Sequence, residues 1–183
     1  TIEFNGSSVQ NISGSNFRDT TIKNLIISNS AGVTVSSAGN SLAISGKLSF
    51  GSSNGKFNSG DNVTLRSTKE RTASLGEVGT NNTVSGQFTV ERYINSGTGA
   101  GEHGKKWLFL ATPTGFDGVG QTIKQSWMEN GNNASTGYGT NMTGPTGTTG
   151  WDAVSPAPSL KDYDSNTNFW KAAPSSSNQL YNP

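Results

Sequence analysis

The feature that most constrains the fold of this chain is a series of short apolar doublets in residues 1–90. In each doublet, one residue, or two at Val9/Ile12, lies between the two apolar residues. Ser, Asn and Gly are common between successive doublets. The doublets are Ile2/Phe4, Val9/Ile12, Leu25/Ile27, Val33/Val35, Leu42/Ile44, Leu48/Phe50, Val63/Leu65 and Phe88/Val90. Alternation of this kind is the period-2 pattern of strands with one buried face. The first half is therefore predicted to consist of many very short strands.

Some of these strands recur at a fixed step along the sequence. The segments 33–35, 48–50 and 63–65 start 15 positions apart, and Leu42 and Phe57 also differ by 15. A repeat of two short strands and two Gly/Asn turns predicts a parallel β-solenoid, whose stacked coils bury each other's apolar faces. With coils about 4.8 Å apart, roughly five of them form a rod on the order of 25 Å long. The competing interpretation is an antiparallel sandwich, for which three-residue strands are short.

The same pattern predicts which side chains face the core. Buried positions are Val35, Ile44, Phe50 and Leu65, and outward positions are Thr34, Ser49 and Thr64. Gly and Asn suit the corners because they adopt left-handed backbone at low cost, and stacked Asn or Ser side chains can hydrogen-bond between coils. The regularity ends between residues 66 and 85, which favours an excursion loop or an end coil that covers the solenoid edge.

Composition excludes several classes of partner and site. The net charge is +1, so the chain has no basic footprint for nucleic acid. No apolar run approaches the roughly 18 residues of a membrane span, and membrane insertion is not expected. The absence of Cys excludes disulfides and thiolate metal sites, and no cofactor is predicted. The chain starts in strand pattern at Thr1 without an initiator Met, so we expect it to be an internal piece of a longer protein.

The second half differs from the first in its aromatic content. All four Trp and all four Tyr lie at Tyr93 or beyond it. A strand at 88–94 is followed by a Gly/Ser loop and a second strand at 105–110, and segment 159–171 is predicted to be strand, polar turn and strand. These features predict a β-solenoid stalk over 1–85 and a β-sandwich or jelly-roll-like module over 86–183, which is incomplete. The strand at Phe88 is expected to pair with the last solenoid coil.

A resemblance to a known group of proteins rests on motifs in both halves. The tract Asn-Leu-Ile-Ile-Ser-Asn-Ser-Ala-Gly-Val-Thr-Val at 24–35 precedes Phe-Thr-Val-Glu-Arg-Tyr-Ile at 88–94 and Lys-Trp-Leu-Phe-Leu at 106–110. Ser126-Trp127, Gly137-Tyr138-Gly139-Thr140, Ser159-Leu160 and Asn168-Phe169-Trp170 continue it. The chain resembles the large surface proteins of Bacteroidetes that the type IX system secretes. The resemblance implies an extracellular, cell-surface location and contact with the secretion machinery during export.

The second half contains a candidate calcium site, formed by Asp and Asn side chains, and a candidate carbohydrate-binding surface, formed by aromatic side chains. Asp162, Asp164, Asn166 and Asn168 alternate like the first ligands of a calcium loop, but Thr167 and Ala173 replace its Gly and Glu. A plain hairpin turn explains the same four residues. Tyr138, Trp151, Tyr163 and Trp170 can stack on sugar rings. The alternative is that the rings form the core, because this half has few aliphatic residues to bury, and it is favoured for Trp107, Trp127 and Trp170.

Other candidates are weaker in chemistry. His103 lies in a Gly-rich loop with no Ser or Cys nucleophile near it in the sequence. It is therefore predicted to be an exposed loop residue and not a member of a catalytic triad. Nothing in the sequence brings Glu91, Glu129, Asp117 and Asp152 together as a glycosidase pair. In the resembled group, Asp19-Thr20-Thr21 fits a short O-glycosylation pattern, which implies a sugar on Thr20.

The sequence therefore predicts a non-catalytic structural or adhesive segment of a secreted cell-surface protein. Its expected partners are surface glycans or neighbouring surface proteins. The alternative is a carbohydrate-binding accessory module of a secreted polysaccharide-degrading enzyme.

Overall fold

The computed structural model describes residues 1–95, 99, 107, 143–144 and 153–172. The chain divides into two compact units, Thr1–Trp107 and Leu108–Pro183. Regular structure in these described ranges is β-strand, with two single-turn 3-10 helices at Gly14–Asn16 and Arg18–Thr20 and no α-helix. The predicted all-β class is confirmed.

Twelve short strands form the first unit. They are β1 (Ile2–Phe4), β2 (Gln10–Ile12), β3 (Thr21–Ile22), β4 (Leu25–Ile27), β5 (Val33–Val35), β6 (Leu42–Ile44), β7 (Lys47–Phe50), β8 (Lys56–Asn58), β9 (Val63–Leu65), β10 (Ser74–Leu75), β11 (Thr83–Ser85) and β12 (Phe88–Val90). Every third strand joins the same parallel sheet, in the orders β1-β4-β7-β10, β2-β5-β8-β11 and β3-β6-β9-β12. Three strands therefore make one coil, and four coils make the predicted parallel β-solenoid.

The predicted 15-residue repeat is wrong as the period of the solenoid. The strands β5, β7 and β9 that carry it lie in three different sheets, and Leu42 and Phe57 also belong to different sheets. Residues that pair in successive coils are further apart: Ala43 pairs with Thr64, 21 positions on, and Lys47 pairs with Ser74, 27 positions on. A coil has three strands rather than two. Because neighbouring strands are about 4.8 Å apart, four coils span only about 14 Å.

The core of the solenoid is narrow and consists of aliphatic side chains and Phe57. Its buried members are Ile12, Ile22, Leu25, Ile27, Val33, Val35, Leu42, Ile44, Leu48, Phe57, Val63, Leu65 and Ala73. The predicted inward positions Val35, Ile44 and Leu65 are buried, while Phe50 is partly buried against the same cluster. Each fully buried aliphatic side chain stabilises the fold by about 1.5–3 kcal/mol. The predicted outward residues Thr34, Ser49 and Thr64 all lie on the partly exposed face of their strands.

Asn side chains at the corners bond one coil to the next. Asn24 Oδ1 accepts the Lys47 backbone N–H at 3.0 Å, and Asn82 Oδ1 accepts the Gly55 N–H at 2.8 Å. The Asn62 amide donates to the carbonyls of Ser36 and Gly39, at 2.9 and 3.0 Å. The predicted hydrogen bonding between coils is therefore present, mainly as bonds from side chain to backbone.

The segment between 66 and 85 combines the two predicted possibilities. A small loop closes on a bridge between Ser67 and Thr72, and strands β10 and β11 then begin the fourth coil. Strand β12 completes that coil by pairing in parallel with β9, with Phe88 opposite Val63. The expected pairing of this strand with the preceding coil is confirmed.

In the second unit the structure describes two strand pairs. Strands β13 (Thr143–Gly144) and β14 (Ala153–Val154) pair in parallel. Strands β15 (Lys161–Asp164) and β16 (Phe169–Ala172) form an antiparallel hairpin around a four-residue turn, as the sequence predicts. This hairpin is consistent with a sandwich-like module. The predicted strand at 105–110 lies outside the described residues except for Trp107.

Candidate functional site

The outer surface of the solenoid carries rows of uncharged polar side chains. Parallel, in-register pairing places equivalent outward residues of successive coils directly above one another. In the second sheet this row is Asn11, Thr34, Asn58 and Ser85. In the third sheet it is Thr21, Thr64 and Thr89, interrupted between Thr21 and Thr64 by the buried Ala43. We call these two sets the polar rows. They present hydroxyl and amide groups at the spacing of the strands, about 4.8 Å.

Glu91, which follows β12, makes contacts within the solenoid. Glu91 Oε2 accepts the backbone N–H of Ser67 at 3.0 Å, and its Oε1 lies 4.0 Å from Arg66 Nε. This carboxylate therefore anchors the chain after β12 to the preceding corner. The other members of the candidate glycosidase set, Glu129, Asp117 and Asp152, lie outside the described residues, as does His103.

The loop at 67–72 is an exposed, solvated corner. The Thr68 hydroxyl donates to Glu70 Oε2 at 2.9 Å. That hydrogen bond, followed by the backbone N–H of Glu70 itself, holds the pKa of the Glu70 carboxyl below its ordinary value. Lys69 and Arg71 flank this carboxylate in the sequence and are exposed. This charged loop is therefore a locally hydrogen-bonded turn.

The calcium candidates Asp162, Asp164, Asn166 and Asn168 all lie in the β15–β16 hairpin, and side-chain oxygens of Asp164 and Asn168 accept hydrogen bonds within it. Asp164 Oδ1 accepts the Asn166 N–H at 3.0 Å, and its Oδ2 accepts Lys171 Nζ at 3.2 Å. The Asn166 N–H, and then the Lys171 ammonium, lower the pKa of Asp164. Within the described ranges, no three His, Asp or Glu side chains cluster as metal ligands would. The described geometry is a polar hairpin turn, and the calcium hypothesis stays untested.

The same hairpin brings two aromatic rings together. Tyr163 lies directly opposite Trp170 in the strand register, with ring centroids 5.2 Å apart and ring planes tilted by 58°. The Tyr163 hydroxyl donates to Asn168 Oδ1 at 3.0 Å. Both side chains are about half exposed, Tyr163 at 52% and Trp170 at 51%.

The assignment of Trp170 and Trp107 to the core is wrong. Trp170 is half exposed, and Trp107 is 64% exposed. The prediction relied on the shortage of aliphatic residues in the second half, which does not say which rings the strands turn outward. The length of the turn could have predicted the pair. With the four residues 165–168 between the strands, Tyr163 and Trp170 lie opposite each other. Trp127, Trp151 and Tyr138 lie outside the described residues, so their predicted roles are untested.

The glycosylation candidate Thr20 lies at a corner of the first coil. Asp19 and Thr20 both have φ of 53°, an uncommon left-handed conformation for residues other than Gly. The Thr21 hydroxyl donates to the Asp19 carbonyl at 2.8 Å, and the side chains of Arg18 and Asp19 are almost fully exposed. The corner is open to solvent, and a sugar on Thr20 stays a prediction.

Comparisons of the chain with known protein families, curated proteins and solved structures gave no match. Neither helical turn in the described part of the chain has the length and hydropathy needed to cross a membrane.

Proposed function

We propose that this chain is a non-catalytic structural and adhesive segment of a large secreted cell-surface protein. The observation that supports this function best is the four-coil solenoid with its polar rows. Such a scaffold is rigid because each coil is bonded to the next by three strand ladders and by corner side chains. It displays hydroxyl and amide groups in a fixed array.

The polar rows supply the adhesive surface in this proposal. Asn, Ser and Thr side chains both donate and accept hydrogen bonds, and they carry no net charge. An array of such groups suits neutral, hydroxyl-rich surfaces, and we propose surface glycans or neighbouring surface proteins as partners. Together with the resemblance to type IX-secreted proteins, it supports an extracellular location and passage through the secretion machinery.

Immunolabelling tests the proposed location. An antiserum raised against the chain is applied to intact and to lysed cells of the producing organism. We expect intact cells or the culture medium to give most of the signal. A signal that appears only after lysis would contradict the proposed location.

A bead-adhesion assay tests the proposed role. Beads coated with the chain are expected to adhere to the producing cells. Beads coated with Leu65→Asp should not, since an unpaired carboxylate in the narrow core costs several kcal/mol and unfolds the solenoid. The matched control is Ser49→Asp, which places the same charge on a partly exposed residue outside the polar rows and should leave both the solenoid and adhesion intact. Equal adhesion by the Leu65→Asp beads would refute a role for the folded solenoid.

A second candidate function is favoured by one observation in the hairpin. Half-exposed Tyr163 and Trp170 side chains are typical of surfaces that stack on sugars, which supports a carbohydrate-binding accessory module of a secreted polysaccharide-degrading enzyme. A glycan array tests it with the whole chain. Binding that is lost in Trp151→Ala or Tyr138→Ala would extend the site to those residues.

A further inference from the structure

The hairpin of β15 and β16 has two unlike faces. Side chains alternate along each strand, so Tyr163 and Trp170 share one face, while Asp164 and Phe169 share the other. The Asp164–Lys171 ion pair lies on that second face, with its two charges 3.2 Å apart. The ion pair therefore lies on the face opposite the two rings, and the rings share their own face with Lys161.

The two rings are held in place before any ligand arrives. The Tyr163 ring packs at a tilt against Trp170, and its hydroxyl is hydrogen-bonded to Asn168. Asn168 in turn has a left-handed backbone, with φ of 57°, and the turn before it is closed by the hydrogen bond between Asp164 and Asn166. A binding site whose side chains are already ordered loses less conformational entropy when it binds.

The Asn168 side chain adds polar chemistry beside the rings. Its oxygen accepts the Tyr163 hydroxyl, whereas none of the hydrogen bonds among the described residues uses its amide nitrogen. Asn168 is exposed, so that nitrogen can donate to a ligand oxygen. Two aromatic faces and one amide donor match the chemistry of a pyranose, which has an apolar C–H face and a rim of hydroxyl groups.

We propose that Tyr163, Trp170 and Asn168 form a subsite for one neutral pyranose unit of a soluble polysaccharide. This inference rests on the second candidate function, carbohydrate binding, and assigns it to this hairpin. The tilt of 58° between the rings makes a shallow notch rather than a flat platform. A single flexible chain fits such a notch, whereas the flat face of a crystalline polysaccharide needs coplanar rings.

Affinity electrophoresis and titration calorimetry on the whole chain test the site. The probes are a soluble mixed-linkage β-glucan, a soluble xylan and a galactomannan, with polygalacturonate and microcrystalline cellulose for comparison. We expect at least one neutral soluble probe to bind, with little change in 0.5 M salt, since no ion pair is involved. Binding should weaken at least tenfold in Trp170→Ala and Tyr163→Ala and several-fold in Asn168→Gly.

Phe169→Ala is the matched control, because it removes an exposed ring from the opposite face and should leave binding unchanged. Two more conservative variants test the site even if Trp170→Ala does not fold. Trp170→Phe keeps an aromatic face and should retain binding. Asn168→Gly keeps the left-handed turn, which Gly adopts freely, and removes the side-chain amide together with its hydrogen bond from Tyr163.

Three outcomes would overturn the proposal. The first is that the wild-type chain binds and that Trp170→Ala and Tyr163→Ala bind equally well. This result would support carbohydrate binding as the function but would show that the site is not in this hairpin. No binding to any neutral probe would refute both the site and the second candidate function. Salt-sensitive binding to polygalacturonate alone, or binding to cellulose alone, would replace the proposed ligand by a different class.

Discussion

The side-chain amide of Asn29 donates to Gln10 Oε1 across the boundary between the first two coils, at 2.8 Å. Asn29 is fully buried, and it also donates to the Ser8 carbonyl and accepts the N–H groups of Ala31 and Gly32. One polar side chain thus satisfies several backbone groups at a corner. Buried groups of this kind are costly when they lose their partners.

We expect Asn29→Ala to lower the free energy of unfolding by about 2–3 kcal/mol, because it leaves buried donors and acceptors unpaired. The control is Asn54→Ala, at an exposed turn, which should stay within about 0.5 kcal/mol of wild type. Urea unfolding followed by circular dichroism measures both. If the two variants unfold at the same urea concentration, the Asn29 network does not stabilise the solenoid.

Gly60 provides a test of a corner backbone. Its φ is +55°, and a Cβ there would collide with the Val35 carbonyl oxygen. We expect Gly60→Ala to destabilise the chain by more than about 1 kcal/mol, since both the strain and the collision oppose folding. Gly79→Ala is the comparison, with its nearest neighbour, Asn82 Nδ2, at 3.4 Å. It should melt at or slightly above the wild-type temperature, and an equal loss in both variants would contradict the assigned corner.

The class of fold is readable from the sequence, but the length of a coil is not. Doublets such as Val33/Val35 and Val63/Leu65 fix which side chains point inward, because that depends only on alternation within a strand. The 15-residue step from Val33 to Leu48 to Val63 is the sequence separation between strands of different sheets. Loops of unequal length join the three faces, so the true coil varies from 21 to 27 positions.

The candidate site was predictable only in part. The sequence predicts Tyr163 as a sugar-stacking ring but favours the core for Trp170, because composition alone cannot distinguish a core ring from a surface ring. Only the hairpin register, which sets Trp170 opposite Tyr163, makes them a pair. The role of Asn168 depends on a side-chain hydrogen bond that no sequence pattern specifies.

Calcium is expected to have no effect on stability. Both Asp164 oxygens already accept hydrogen bonds within the hairpin. Thermal melts in millimolar calcium and in EDTA should therefore coincide. A rise of several degrees with calcium would make the turn a metal site, because a ligand that binds only the native state stabilises it.

Strand β12 should be needed to complete the solenoid. The Ser59 hydroxyl donates to the Gln87 carbonyl at 2.6 Å, and the Gln87 N–H donates to Asp61 at 2.6 Å. A chain ending at Ser85 loses these bonds and exposes the edge of β9, so we expect it to aggregate, while a chain ending at Asn95 stays soluble. Size-exclusion chromatography and thermal melts compare them. Soluble monomers of both 1–85 and 86–183, each melting near the intact chain, would show that β12 is only a linker.

Disulfide trapping tests the three-sided solenoid most directly, because the chain contains no native Cys. Thr64 and Thr89 are paired outward residues of adjacent coils, whereas Ser49 and Thr64, 15 positions apart, lie on different faces. Paired residues about 4.8 Å apart are within disulfide reach. Under mild oxidation, Thr64→Cys/Thr89→Cys should form an intramolecular disulfide nearly completely and Ser49→Cys/Thr64→Cys should not, as read by thiol titration and mass spectrometry. The reverse result would contradict the register and the solenoid built on it.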